Sequence, residues 1–175
     1  MTEERISIDV VRASRDGHQF HEAWAARIAL ELLPPDSTLT ALAIEGFSVE
    51  EPDELSSEAH DIADIVRYRG GRNSLAASLV ETVQFKYSVA AAGTPMRAWE
   101  TAKTVRKFAA ADRDLRANAP AGSPKGRFEL VTNRPIDTDT LAALAALRTG
   151  DAVEGRVAEH ANQLREAMGF QNEEL

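Results

Sequence analysis

The hydrophobic residues change their spacing several times along the chain, and each change marks an element. Over residues 17–33, Phe20, Trp24, Ile28 and Leu32 recur at every fourth position, with Ala23 and Leu30 widening the stripe. That spacing predicts an amphipathic helix, closed by Pro34 and Pro35. Residues 39–47 (LTALAIEGF) are short and apolar and read as a buried strand with Glu45 near its end. Residues 48–60 are acidic, contain Pro52 and read as a loop.

Two further strands are predicted at residues 64–69 (DIVRYR) and 79–87 (LVETVQFKY), separated by the turn residues Gly70, Gly71 and Asn73. In the second of these, Val83, Phe85 and Tyr87 fall on one face and Thr82, Gln84 and Lys86 on the other. A hairpin centred near Ser74 pairs residues whose numbers sum to about 148, so Asp64 comes opposite Gln84. An acid, an amide and an ammonium are thereby expected on one patch.

After a linker at residues 88–94, Pro95 is expected to start a helix. Trp99, Ala102, Val105, Phe108 and Ala109 are expected to form its apolar face, and Arg97, Lys103, Arg106, Lys107 and Arg113 a basic one. A loop at 117–126, a strand at 127–132 and helices at about 138–147 and 151–168 complete the chain. Strand, helix, strand after Lys86 is the order of a parallel crossover, so the expected fold class is α/β with a mixed central sheet flanked by helices. The 175 residues suit a single domain, with its core at about 15–150 and a C-terminal helix at 151–168.

Charge changes this picture more than bulk composition does. The formal net charge is −8, yet residues 65–127 hold 12 basic and 4 acidic side chains, a local excess of eight positive charges starting where the two central strands start. Charge blocks are often just solvated faces, but a basic block beside an acidic and amide cluster also suits a polyanion such as DNA. The chain has no cysteine, which removes disulfides, thiolate nucleophiles and Cys-ligated zinc. With no apolar run of membrane-spanning length and no basic-plus-apolar leader, a cytoplasmic protein with no membrane partner is expected.

Candidate chemistry centres on Asp64, Gln84 and Lys86, with Glu45 as a second carboxylate. Carboxylate and amide oxygens make a hard site suited to Mg2+, with Mn2+ as a substitute, and such an ion can neutralise phosphoryl oxygens and polarise water. Asp64, Gln84, Glu45 and Asp61 are the candidate metal ligands, and Lys86 the group that orients the attacking water or steadies developing charge. Each has an ordinary alternative: Lys86 as a solvated strand lysine, Glu45 as a strand-end carboxylate, Arg134 in a simple turn, and Glu22 and Glu31 as exposed helix residues. Trp99 and Phe108 are expected in the helix core. The histidines His18, His21, His60 and His160 show no metal-binding spacing.

Asp64 followed by Gln84-Phe85-Lys86 resembles the Q-x-K form of the PD-(D/E)xK nuclease motif. With Gly17-His18-Gln19-Phe20, Ile44-Glu45-Gly46, His60-Asp61-Ile62-Ala63-Asp64-Ile65 and Val131-Thr132-Asn133-Arg134-Pro135 in that order, the chain is similar from about residue 17 to 147 to the double-stranded-DNA endonuclease domains of bacterial antiphage defence effectors. The resemblance implies a restriction-endonuclease-like fold, Mg2+-dependent hydrolysis of double-stranded DNA, and a position in the N-terminal part of a longer protein. A fused or separate regulatory, sensor or ATPase module and a homo-oligomer are implied as well. His60 departs from the family pattern, where an acidic residue often precedes Asp61, and so does His21, where glutamine is common. Two readings from other classes stand beside this one: a catalytically silent DNA-binding module, and an oligomerisation or partner-interaction module that uses the basic helix.

Overall fold

In a computed structural model, residues 3–51, 63–117 and 125–169 are described. Residues 52–60 of the loop predicted at 48–60, with His60, and Asp61 lie outside them, as do most of the predicted loop at 117–126 and residues 170–175. The elements in order are α1 (Glu3–Ala29), ending in a 3-10 turn (Leu30–Leu32), β1 (Leu39–Ile44), β2 (Ile65–Arg69), β3 (Leu79–Lys86), α2 (Ala98–Ala117), β4 (Lys125–Thr132), α3 (Thr138–Thr149) and α4 (Gly155–Ala167). The strands form one mixed sheet in the order β1-β2-β3-β4. β1 pairs antiparallel with β2 and β2 with β3, whereas β3 and β4 run parallel through the α2 crossover.

The β2–β3 register is that predicted from the turn, with Ile65 opposite Val83 and Arg69 opposite Leu79. It follows from β-strand alternation, because slipping by one residue would send Val66, Tyr68 and Val80 out of one core and Ile65 and Val83 out of the other. On one side of the sheet, Ile65, Val83 and Phe85 pack with Ala25 and Ile28 of α1. On the other, Val66, Tyr68 and Val80 pack with Ala111 and Leu115 of α2. A third cluster, built on Ala98, Ala143, Ala161 and Leu164, seals α2 against α3 and α4.

Several elements differ from expectation. The first helix starts at Glu3 rather than near Gly17. Gly17 lies within it, and an interior glycine costs only about 1 kcal/mol, too little to stop a helix of this length. Pro95 does not open α2. Met96, nearly inaccessible to solvent, instead makes a parallel bridge to Ile136, with its N–H on Pro135 O at 2.8 Å and its carbonyl taking Asp137 N–H at 3.0 Å. Burying Met96 in that bridge delays the helix to Ala98. The last helix begins at Gly155 rather than 151, because Thr149 turns its hydroxyl to Asp151 at 2.6 Å and Val153 tucks into the third cluster. Trp99, expected in the core of α2, is 56% exposed. No helix among the described residues is long and apolar enough to cross a membrane.

Candidate active site

Asp64 immediately precedes β2 and ties three strands together. Its N–H donates to Val83 O at 3.1 Å, and its carbonyl accepts the Glu45 N–H at 2.9 Å. Its carboxylate Oδ2 accepts the Phe85 N–H at 2.5 Å. Bonds from Asp64 thus reach the residues on both sides of Gln84, which fixes the acid against β3 where the Q-x-K run lies.

Gln84 is held on β3 between two strands, paired with Leu130 of β4 on its parallel side. Its side-chain oxygen Oε1 is inaccessible to solvent and accepts no hydrogen bond among the described residues. Such an orphan acceptor costs on the order of 1–3 kcal/mol, so its retention calls for a reason. Lys86, two residues on, is half-buried at the end of the strand. Burial holds its ammonium below the ordinary lysine range, and Lys107 and Lys103 of α2 push the same way, against the pull of Glu100 and Asp64.

Glu45 follows β1 with a φ of 56°, a left-handed conformation that is unfavourable for a residue with a Cβ, and Gly46 continues the turn at a φ of 133°. This sharp turn brings the exposed Glu45 to a cleft of about 350 Å3 that also borders Asp64, Glu22, His18 and His21. A second opening of about 370 Å3 is lined by Lys86, Tyr87, Ser88 and Arg134. His21 and Phe85 border both, so the two openings are neighbours at the end of β3. Of the expected site residues, Asp64 and Glu45 border the first opening and Lys86 the second, whereas Gln84 lines neither and, alternating with Val83 and Phe85, faces the α2 side of the sheet; Asp61 lies outside the described residues.

Hard oxygen donors at this end are the Asp64 and Glu45 carboxylates and the unpartnered Gln84 oxygen. Among the described residues no three His, Asp or Glu side chains cluster tightly enough to enclose an ion. A Mg2+ site needs no such cage, since that ion commonly keeps several waters and takes one or two carboxylates. Asp64 and Glu45, two carboxylates on one cleft, suit a hydrated hard cation, and Gln84 Oε1 is a buried acceptor without a partner among the described residues.

The neighbouring hydrogen bonds explain what holds Lys86 in place. Asn133 bonds through its side chain to both the N–H and the carbonyl of Ser88, at 3.0 Å each, as one more rung between the segments that leave β3 and β4. Arg134 gives its guanidinium to both Glu100 oxygens, at 2.6 and 3.1 Å, and to the carbonyls of Thr94 and Pro95. Its donors are committed to clamping residues 94–100 rather than turned to solvent.

Sequence reasoning missed an ion-pair network on the α1 side of the sheet. Glu81, 2% exposed, meets Arg69 at 2.7 Å, Arg127 at 3.2 Å and Arg67 at 3.3 Å, and Arg67 also reaches Glu129 at 2.7 Å. Glu31, expected to be merely solvated, joins it through Arg69 at 3.0 Å. A signal was present, since the register that pairs Ile65 with Val83 also sets Arg67 opposite Glu81. No known protein family matches the chain in sequence, and neither does any curated protein.

Proposed function

We propose that this chain is a metal-dependent endonuclease domain that hydrolyses phosphodiester bonds of double-stranded DNA, with a restriction-endonuclease-like fold and the Q-x-K form of the PD-(D/E)xK site. The observation that supports this reading is the buried Gln84 oxygen, unpartnered among the described residues, on the strand that the Asp64 carboxylate grips through the Phe85 N–H and that ends at the half-buried Lys86. A purely structural strand would gain stability by losing that oxygen, whereas a metal-binding strand needs it.

In this reading Asp64 and Gln84 hold the ion, and Glu45 at the cleft mouth is the further carboxylate. Bound Mg2+ supplies neutralisation of the phosphoryl oxygens and polarisation of water. The chain does the rest. The Phe85 N–H keeps the Asp64 carboxylate in one orientation. Lys86, half-buried at the end of β3, orients the attacking water or meets the charge that develops on the phosphate. The exposed basic residues of α2 supply the nonspecific attraction to the backbone of the nucleic acid. A role in bacterial antiphage defence, action as a homo-oligomer, and control by a fused or separate module are extensions of the same proposal.

The test is loss of supercoiling in a plasmid incubated with the protein and Mg2+, Mn2+ or EDTA, with Asp64→Asn and Lys86→Ala in parallel. Metal-dependent nicking that both substitutions abolish is the expected outcome. A Lys86→Ala protein that nicks as well as the parent removes Lys86 from the site, and DNA binding without cutting by the parent favours the silent-module reading.

A further inference from the structure

Most of the surface of α2 is already in use. Thr104, Ala111 and Leu115 are buried, with Ala111 and Leu115 in the core that covers one side of the sheet, and Ala98, together with Val105, packs toward α3 and α4. The remaining side carries Trp99, Lys103, Arg106, Lys107 and Arg113, at helical spacings that form one stripe about 21 Å long. All five are exposed. The Lys103 ammonium lies 5.8 Å from the centre of the Trp99 ring system. Beside them a shallow cleft of about 340 Å3 between α2 and α4 has Ala102 and Ala167 in its wall and Gln163 and Glu166 at its rim.

Packing does not account for Trp99. A large indole left more than half exposed, with cations following it down the same helix face, has the parts of a stacking platform beside a phosphate track. Glu100, the residue after Trp99, is bonded by Arg134, which lines the same opening as Lys86, so the stripe starts near the candidate active site. We propose that this stripe binds single-stranded nucleic acid, with Trp99 taking the face of an unpaired base and Lys103, Arg106 and Lys107 holding the flanking phosphates. As the substrate surface of the enzyme it rests on the nuclease reading above, and it deepens that reading by specifying DNA that is unpaired beside the point of cutting.

Charge and shape favour this occupant. An acidic peptide would satisfy the cations but offers no regular planar face for the indole, whereas a nucleic-acid strand presents alternating phosphates and rings. In an intact duplex each base is covered by its neighbours, so an indole on a helix surface reaches a base face only where the stack is open. Glu166 is the one carboxylate lining this cleft and limits the phosphate track to the α2 side.

The experiment is tryptophan fluorescence in EDTA, so that no cutting intervenes, with a short oligothymidylate, a blunt-ended hairpin duplex of equal charge and polyglutamate as probes. The chain has two tryptophans, and Trp24 packs with Phe20 and Phe85 on the opposite side of the sheet, so it serves as an internal control. Oligothymidylate should quench the parent, Trp99→Ala should bind it more weakly by on the order of tenfold, and Trp99→Phe should keep most of the affinity while losing the quench. The hairpin should bind without comparable quenching. Unchanged affinity in Trp99→Ala with an unchanged unfolding midpoint overturns the proposal, as does equal quenching by the hairpin or Trp99-dependent binding of polyglutamate. Plasmid nicking reports separately on the nuclease reading, since it can fail while the EDTA binding result stands, and the reverse.

Discussion

The carboxylate of Asp64 accepts the backbone N–H of Phe85 at 2.5 Å, which ties the candidate acid to the residue between Gln84 and Lys86. Asparagine retains a carbonyl oxygen for that N–H. Asp64→Asn should therefore lower stability by no more than about 1.5 kcal/mol while abolishing metal-dependent nicking. Lys86→Ala should leave the fold intact and slow nicking by roughly a hundredfold or more. Urea unfolding and plasmid relaxation on the same preparations check both halves.

Gln84 gives a sharper separation of stability from activity. Gln84→Met keeps the volume and removes the buried orphan oxygen, so it should raise stability by about 1 kcal/mol. The parent should melt higher in Mg2+ than in EDTA, because a ligand that binds only the folded state stabilises it, and Gln84→Met should lose that difference along with nicking. A Gln84→Met protein that melts lower than the parent and still responds to Mg2+ would show that the oxygen is structural.

Glu81 should behave in the opposite way. Removing this buried carboxylate takes from Arg67 and Arg69 their most buried partner while Glu31 and Glu129 remain, so Glu81→Ala should cost on the order of 2–3 kcal/mol in denaturant unfolding.

The Arg134 clamp predicts a pH dependence. Hydrogen bonding to Arg134 holds the Glu100 carboxyl below its ordinary value of 4.5. The unfolded chain therefore takes up this proton first, so the contribution is complete above about pH 4.5 and fades as the pH falls through the lower native value. It should amount to no more than about 1 kcal/mol for a partly exposed pair. Unfolding midpoints collected between pH 3 and 7 should show Glu100→Gln below the parent near neutrality and a gap that narrows as the pH falls, so the acid loss is shallower in the variant.

The hairpin that carries the candidate site was legible because its information is local. Strict alternation in LVETVQFKY and the Gly70-Gly71 turn set the β2–β3 register, and with it the approach of Asp64 to Gln84. What the sequence hid depends on distant partners. Glu81 looks like a surface residue until Arg127 arrives from β4 and Arg67 from β2. Trp99 fits the apolar period of α2, but that period does not say which sides of the helix have neighbours. Met96 was lost to the helix-starting preference of Pro95, because the bridge that buries it is made with Ile136. The orphan state of the Gln84 oxygen could not be read from residue order at all, since it is a property of what surrounds it.

The position of β3 between an antiparallel and a parallel neighbour also sets an order of assembly. The β1–β2–β3 sheet can form once Lys86 has left the ribosome, but the second edge of β3 stays open until all of α2 and then β4 have followed. Contacts across so long a loop close late. Gln84 and Lys86 gain their partners Leu130 and Thr132 only in that last step. For a protein read as one that cuts DNA, the nascent chain would then be harmless by construction, acquiring a rigid centre only after its crossover has docked.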